Sequence, residues 1–215
     1  IRMRWEPLYE VTQIKGDGEA YPLLSPDDEF ADFETWNSWS GVAVIASWDA
    51  QERERKKSSY ARSALKMGLQ TEMKLGVNPF KFGMIGSTDS HTSLASAEEN
   101  NFWGKWSNNE PHATRQLEPL VDAWTVPGWQ VAASGYTGIW AEENTREALF
   151  AAMKRKEVYA TTGPRISVRF FGGWDYQPDD AYKPNLASIG YEKGVPMGGD
   201  LTTAPEDLSP TFLIH

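Results

Sequence analysis

Between residues 59 and 91 the chain spells a helix, a stop and a buried strand that opens into polar residues. Ala61, Leu65, Leu69 and Met73 recur every four residues, the period of one helical face. Gly76 suits the helix end, and Pro79 forbids its continuation. Residues 80–85 are an apolar run that predicts a short buried strand, and the chain leaves it through Gly86-Ser87-Thr88-Asp89-Ser90-His91-Thr92. A helix feeding a buried strand is the building unit of an α/β protein. In such folds, ligands collect beyond the carboxyl ends of the strands.

The rest of the chain extends this pattern. Residues 8–14 mix β-branched, aromatic and apolar side chains and read as a strand, closed by the turn Lys15-Gly16-Asp17-Gly18-Glu19. Ser25-Pro26-Asp27 announces a short helix reaching Phe33. Asp49 to Glu52 has capping-box spacing, ahead of a charged, solvated helix face. Residues 93–135 are rich in Asn, Gly, Pro and Trp and read as a long irregular excursion, with a short helix near residues 115–123. Asn144 and Glu147 form a second capping box, which opens a helix with Leu149, Ala152 and Met153 on one face. Residues 158–161 and 166–171 read as strands around the turn Thr162-Gly163-Pro164. Residues 172–194 read as a loop and residues 195–200 as a tight turn. Phe212 begins a further strand. The expected fold class is therefore α/β with a β-rich C-terminal end.

Charge and cysteine content narrow the function. Among 215 residues, Lys+Arg number 21 against Asp+Glu 30, a net charge of -9. That balance argues against a nucleic-acid backbone or an anionic membrane surface as partner. The absence of cysteine excludes disulfides, thiolate metal sites and cysteine nucleophiles, and leaves the compartment open. No apolar run approaches the roughly 20 residues that span a bilayer. No Walker loop, dinucleotide fingerprint or nucleophile elbow occurs. The chain starts without Met and stops inside an apolar run, which leads to the expectation of a fragment of a longer protein.

Asp89-x-His91 is the sharpest chemical feature. Two residues apart in an extended turn, a carboxylate oxygen and an imidazole nitrogen can face one cation, with Ser87, Thr88 and Ser90 to orient them. The competing reading is a turn in which Asp89 accepts backbone N–H groups and His91 lies on the surface. Glu10 sits in an apolar strand and is either a ligand with a partner or a residue of the solvent face. Arg165, after Pro164, offers a planar fork for phosphate or carboxylate, or a surface ion pair. Lys15 is open in the same way. His112 reads as a solvated loop residue. Glu142 and Glu143 complement the dipole of the helix that follows them.

Several stretches together are distinctive: residues 78–92 above, Tyr9-Glu10-Val11 with Gln13-Ile14-Lys15-Gly16-Asp17, Trp140 to Ala148, Ala160 to Ile166, and Met197-Gly198-Gly199-Asp200-Leu201. They resemble a bacterial family of unknown function that is similar to the PHP (polymerase and histidinol phosphatase) metal-dependent phosphoesterases. The resemblance implies a distorted (β/α) barrel over residues 1–165 and a β-rich extension over residues 166–215. It implies a metal cluster with Asp89, His91 and Glu10 as ligands, of Zn, Mn or Fe rather than Mg. Arg165 and Lys15 would contact a small phosphorylated substrate. The early His-x-His motif of PHP proteins is missing and would lie in an upstream segment, without which the chain alone is inactive. The expected activity is metal-dependent phosphoester hydrolysis. The alternative is a non-catalytic ligand-binding module, in which Trp103, Trp106, Trp124 and Trp129 grip the ligand and the metal site is vestigial.

Overall fold

Strand β1 (Leu8–Gln13) follows a single helical turn, α1 (Arg2–Trp5). The computed structural model describes residues 1–14, 16–33, 51, 54, 59–91, 112–119 and 135–215. On one edge β1 pairs antiparallel with the short β2 (Gly16–Asp17), Thr12 opposite Asp17. On the other it runs parallel to β3 (Gly83–Gly86), with Leu8 opposite Gly83 and Glu10 opposite Ile85. The register slips between Glu10 and Thr12, a bulge at the carboxyl end of the strand.

Helix α2 (Ala61–Leu75) connects the two parallel strands. Its first N–H groups need acceptors, and the side chain of its N-cap residue, Tyr60, supplies none. The β2 turn supplies backbone carbonyls instead: Ala61 N donates to Gly18 O at 2.9 Å and Arg62 N to Glu19 O at 3.0 Å. Gly76 ends the helix at φ 71, as expected. The buried face differs from the predicted one. Ala61, Ala64 and Gly68 face inward, whereas Leu69 is 62% and Met73 88% exposed. The loop after the helix folds back across it, and a Cβ at Gly68 would stand 2.3 Å from Asn78 Oδ1. Only small residues fit that approach.

The helix expected over residues 25–33 is a series of turns. Asp28 N, Ala31 N and Phe33 N each donate three residues back, at 3.2, 3.1 and 3.0 Å. Asp28 competes with a helix by accepting Phe30 N with its own carboxylate at 3.0 Å. Its other oxygen meets Arg62 Nη1 at 2.5 Å, and Glu19 meets Arg62 Nη2 at 2.6 Å. The charged helix face expected near residues 51–57 lies largely outside the described residues.

Beside this cluster, burial pushes the Asp17 carboxyl up to about 6; the hydrogen bond from Glu19 N opposes it, the Glu19 carboxylate adds some repulsion, and Arg62 opposes it. A raised folded-state value means that stability is full below the ordinary carboxylate value of ~4 and is lost as pH rises through the folded one. Asn in its place would still accept Glu19 N, which Asp17 Oδ1 does at 2.7 Å. Asp17→Asn is therefore expected to raise the melting temperature by about 3 °C at pH 8 and to leave it unchanged at pH 4. Thermal denaturation at both values checks this. Equal shifts at the two would show that the buried charge is not the cause.

The second sheet pairs β4 (Thr137–Ile139) antiparallel with β5 (Val158–Ala160), joined through α3 (Arg146–Arg155). Thr145 is the N-cap and accepts Ala148 N at 3.3 Å, one residue later than the Asn144/Glu147 spacing predicts. Ala152 is fully buried, on the expected face.

In the third sheet, β6 (Phe170–Gly173) lies between β7 (Gly194–Pro196) and β8 (Thr211–Ile214), antiparallel to both. The strand expected from residue 166 starts at Phe170. Before it, side chains take the carbonyls: Tyr159 Oη donates to Ile166 O at 2.9 Å and Trp140 Nε1 to Val168 O at 2.8 Å. The expected loop over residues 172–194 contains a 3-10 turn (Pro178–Tyr182) and a helix, α4 (Leu186–Lys193). Leu186 and Ile189 of α4 close a core with Phe171, Tyr176 and Leu213. The fold is mixed α/β, as expected. Its strands form three small sheets and, among the described residues, no closed barrel. No described helix is long and apolar enough to cross a membrane.

Candidate functional site

Because β1 and β3 are parallel, their carboxyl ends open on the same side. Ser87, the first residue beyond β3, donates its backbone N–H to Thr12 O at 3.0 Å. Its hydroxyl donates to Glu10 Oε1, while Gln13 Nε2 donates to Glu10 Oε2 at 3.0 Å. The bulge after Glu10 helps set this approach. Glu10 is exposed, so it lies on the solvent side of the strand and is paired there.

Asp89 follows in the left-handed region at φ 49, which Asp tolerates better than most residues. Ser90 N donates to Thr88 Oγ1 at 3.2 Å and tightens the turn. His91 Nε2 then lies 3.3 Å from Asp89 Oδ1, with Asp89 21% and His91 44% exposed. The carboxylate oxygen and the imidazole nitrogen thus face each other beside open solvent. Among the described residues no group of three or more His, Asp or Glu stands close enough to hold a metal ion. Glu10 therefore does not close a triad with the other two.

The second sheet reaches the same end. Gly135 N donates to Ser87 O at 3.2 Å, and Thr137 Oγ1 both donates to Gly86 O at 2.6 Å and accepts Gly86 N at 3.2 Å. Tyr136 is pinned to Thr161 in both directions, at 3.2 and 2.9 Å. The Arg165 guanidinium lies over the Tyr136 ring, 5.2 Å from its centroid. Arg165 thereby belongs to the layer that borders Ser87. Two oxygens at the end of β1, Thr12 Oγ1 and Gln13 Oε1, are buried and have no hydrogen-bond partner among the described residues.

The structure thus brings together Asp89 with His91, and Glu10 with Ser87, and sets Arg165 beside Tyr136. Lys15 and the four tryptophans of the excursion lie outside the described residues. His112 is exposed, 3.5 Å from Glu118, in keeping with a loop residue. Sequence reasoning assigned Ser87 to Asp89, whereas the structure gives it to Glu10. It also passed over Tyr136, Thr137 and Thr161. The available signal was Gly135, where a Cβ would fall 1.7 Å from Thr161 O.

No curated protein and no solved structure matches the chain. A family model described as "Protein of unknown function (DUF3604)" matches residues 1–215, and the chain belongs to that family.

Proposed function

We propose that the turn after β3 is a divalent-metal site of a hydrolase, a PHP-like phosphoesterase acting on a small phosphorylated molecule. The observation that carries this reading is the 3.3 Å approach of Asp89 Oδ1 and His91 Nε2 at the carboxyl end of a parallel strand. The donor set fits: a hard oxygen beside a neutral nitrogen suits Zn, Mn or Fe better than Mg. Bound there, such an ion would lower the pKa of a coordinated water toward 7. The chain's own groups supply the rest. Ser87 and Gln13 hold Glu10 in a fixed orientation as a second carboxylate at the same end. Arg165 offers a planar fork to phosphoryl oxygens, and Lys15 would add a second cation. The net charge of -9 favours a small substrate over a polyanion. The β1–α2–β3 unit is the element that a PHP-like barrel repeats, which supports reading residues 1–165 as part of one.

The test is metal content after equilibrium dialysis against Zn(II) or Mn(II), comparing the chain with its Asp89→Ala/His91→Ala variant. The expected result is about one ion per chain, with affinity reduced more than about 100-fold in the variant. Equal binding by both, or none by either, would overturn the site. Hydrolysis of p-nitrophenyl phosphate is expected only where an early His-x-His motif completes the metal cluster, so this chain alone is expected to bind the ion without turnover. Binding without turnover even with that motif present would make it a ligand-binding module instead.

A further inference from the structure

We propose that a cavity between α2, β1 and the loop that leads into β3 binds a small neutral aromatic molecule, one ring carrying a single hydrogen-bonding substituent. The cavity measures ≈ 230 Å³. Its floor is Ala61 and Ala64, which lie on one face of α2 and are both buried. Their methyl groups leave open the space that larger residues would fill. Its walls are the rings of Tyr9, Tyr60, Phe80 and Phe82, brought in from β1, the start of α2 and the loop into β3. Each ring is only partly buried, so ring surface remains for a guest. Tyr9 and Phe82 stand 5.3 Å apart at 44°, a tilt that presents both edge and face to a third ring.

Size and charge select the guest. A cavity of roughly 150 Å³ accepts benzene, so this one accommodates a ring with one substituent. Arg2 at the rim is already matched by Glu6, with Nε 2.8 Å from Oε2, and lies over Phe80 at 5.6 Å. The rim is therefore neutral, and the chain as a whole is acidic. Burial raises the Tyr9 hydroxyl and pushes Tyr60 up to about 12, so both stay neutral hydrogen-bonding groups at ordinary pH. Successive residues of a strand point to opposite faces, which sets Tyr9 and its cavity on the far side of β1 from the Glu10–Ser87 pair. The cavity is thus separate from the proposed metal turn.

The experiment titrates p-cresol into the isotope-labelled chain and follows amide shifts by NMR. Saturable shifts centred on Tyr9, Tyr60, Ala61, Ala64 and Phe82 are expected, with a Kd of about 0.1–1 mM. The carboxylate analogue p-toluate is expected to bind at least about tenfold more weakly. Ala64→Leu fills the floor and should abolish the shifts. Phe82→Leu removes one wall, keeps an apolar side chain and should weaken binding about threefold or more, which guards against misfolding of the first variant. The site is overturned by no saturable shifts, by shifts centred elsewhere, or by an affinity that neither variant changes.

Discussion

Asp180→Ala is expected to lower the melting temperature by about 5–10 °C at pH 7. Asp180 is the carboxylate most completely removed from solvent among the described residues, with 0% of its surface exposed. It is fully occupied there. Gln177 N donates to Oδ2 at 2.9 Å, Lys193 Nζ lies 2.7 Å from Oδ2, and Lys183 Nζ lies 2.7 Å from Oδ1. One side chain therefore caps the 3-10 turn and ties it to the end of α4. Alanine would leave the Gln177 N–H without its acceptor and two lysines facing each other. Both lysines keep access to water, which moderates the loss. The backbone bond and the lysines hold the Asp180 carboxyl well below the usual carboxylate range. A depressed folded-state value contributes stability above the unfolded one and loses it as pH falls through the folded one. The gap between wild type and variant should therefore be full at pH 7 and begin to close below about pH 4. Calorimetric scans from pH 7 down to pH 3 measure it. A gap that stays constant with pH would show that shape, not charge, is what alanine removes.

What could be read from the residues depended on how local the governing interaction is. The helix over residues 61–75 was legible because its stop signals, Gly76 and Pro79, act within a turn of chain. Its buried face was not, because the choice of Ala61, Ala64 and Gly68 over Leu69 and Met73 is made by Asn78 packing across it. The turns over residues 25–33 lost their helix to Asp28, whose second oxygen serves Arg62, 34 residues away. Helix α4 went unread for the opposite reason: it is eight residues long with Gly190 inside, too little pattern to see. Its Gly190 is where the Phe171 ring packs, since a Cβ there would stand 2.6 Å from that ring. At the candidate site, the nearness of Asp89 to His91 was legible from spacing alone. The pairing of Glu10 with Ser87 was not, because it depends on which two strands run parallel.

Gly198→Ala is expected to lower the melting temperature by about 10 °C, against about 3 °C for Gly76→Ala. Both glycines are left-handed, at φ 79 and φ 71. For an alanine that conformation alone costs about 1–2 kcal/mol. The surroundings differ. Around Gly76 a Cβ would meet nothing within 4 Å, whereas at Gly198 it would lie 2.2 Å from Lys156 O and 2.6 Å from Lys156 C. Those are backbone atoms and cannot swing aside. Lys156 is itself fixed in the left-handed region at φ 65, with its N–H on Met153 O and Ala152 O at the end of α3. Next to it, Glu157 is buried and receives the Tyr191 hydroxyl and Arg155 Nη2, the latter at 3.2 Å. The turn that carries Gly198 is equally tied, with Met197 N on Phe170 O at 2.8 Å and Asp200 3 residues on, paired with Lys81 at 2.9 Å. An alanine must therefore push apart the third sheet and the α3–β5 junction, or break one of them. Thermal denaturation of the two variants beside wild type decides the matter. Equal losses would mean that the φ angle is the whole penalty and that the close seating of this turn on Lys156 contributes nothing.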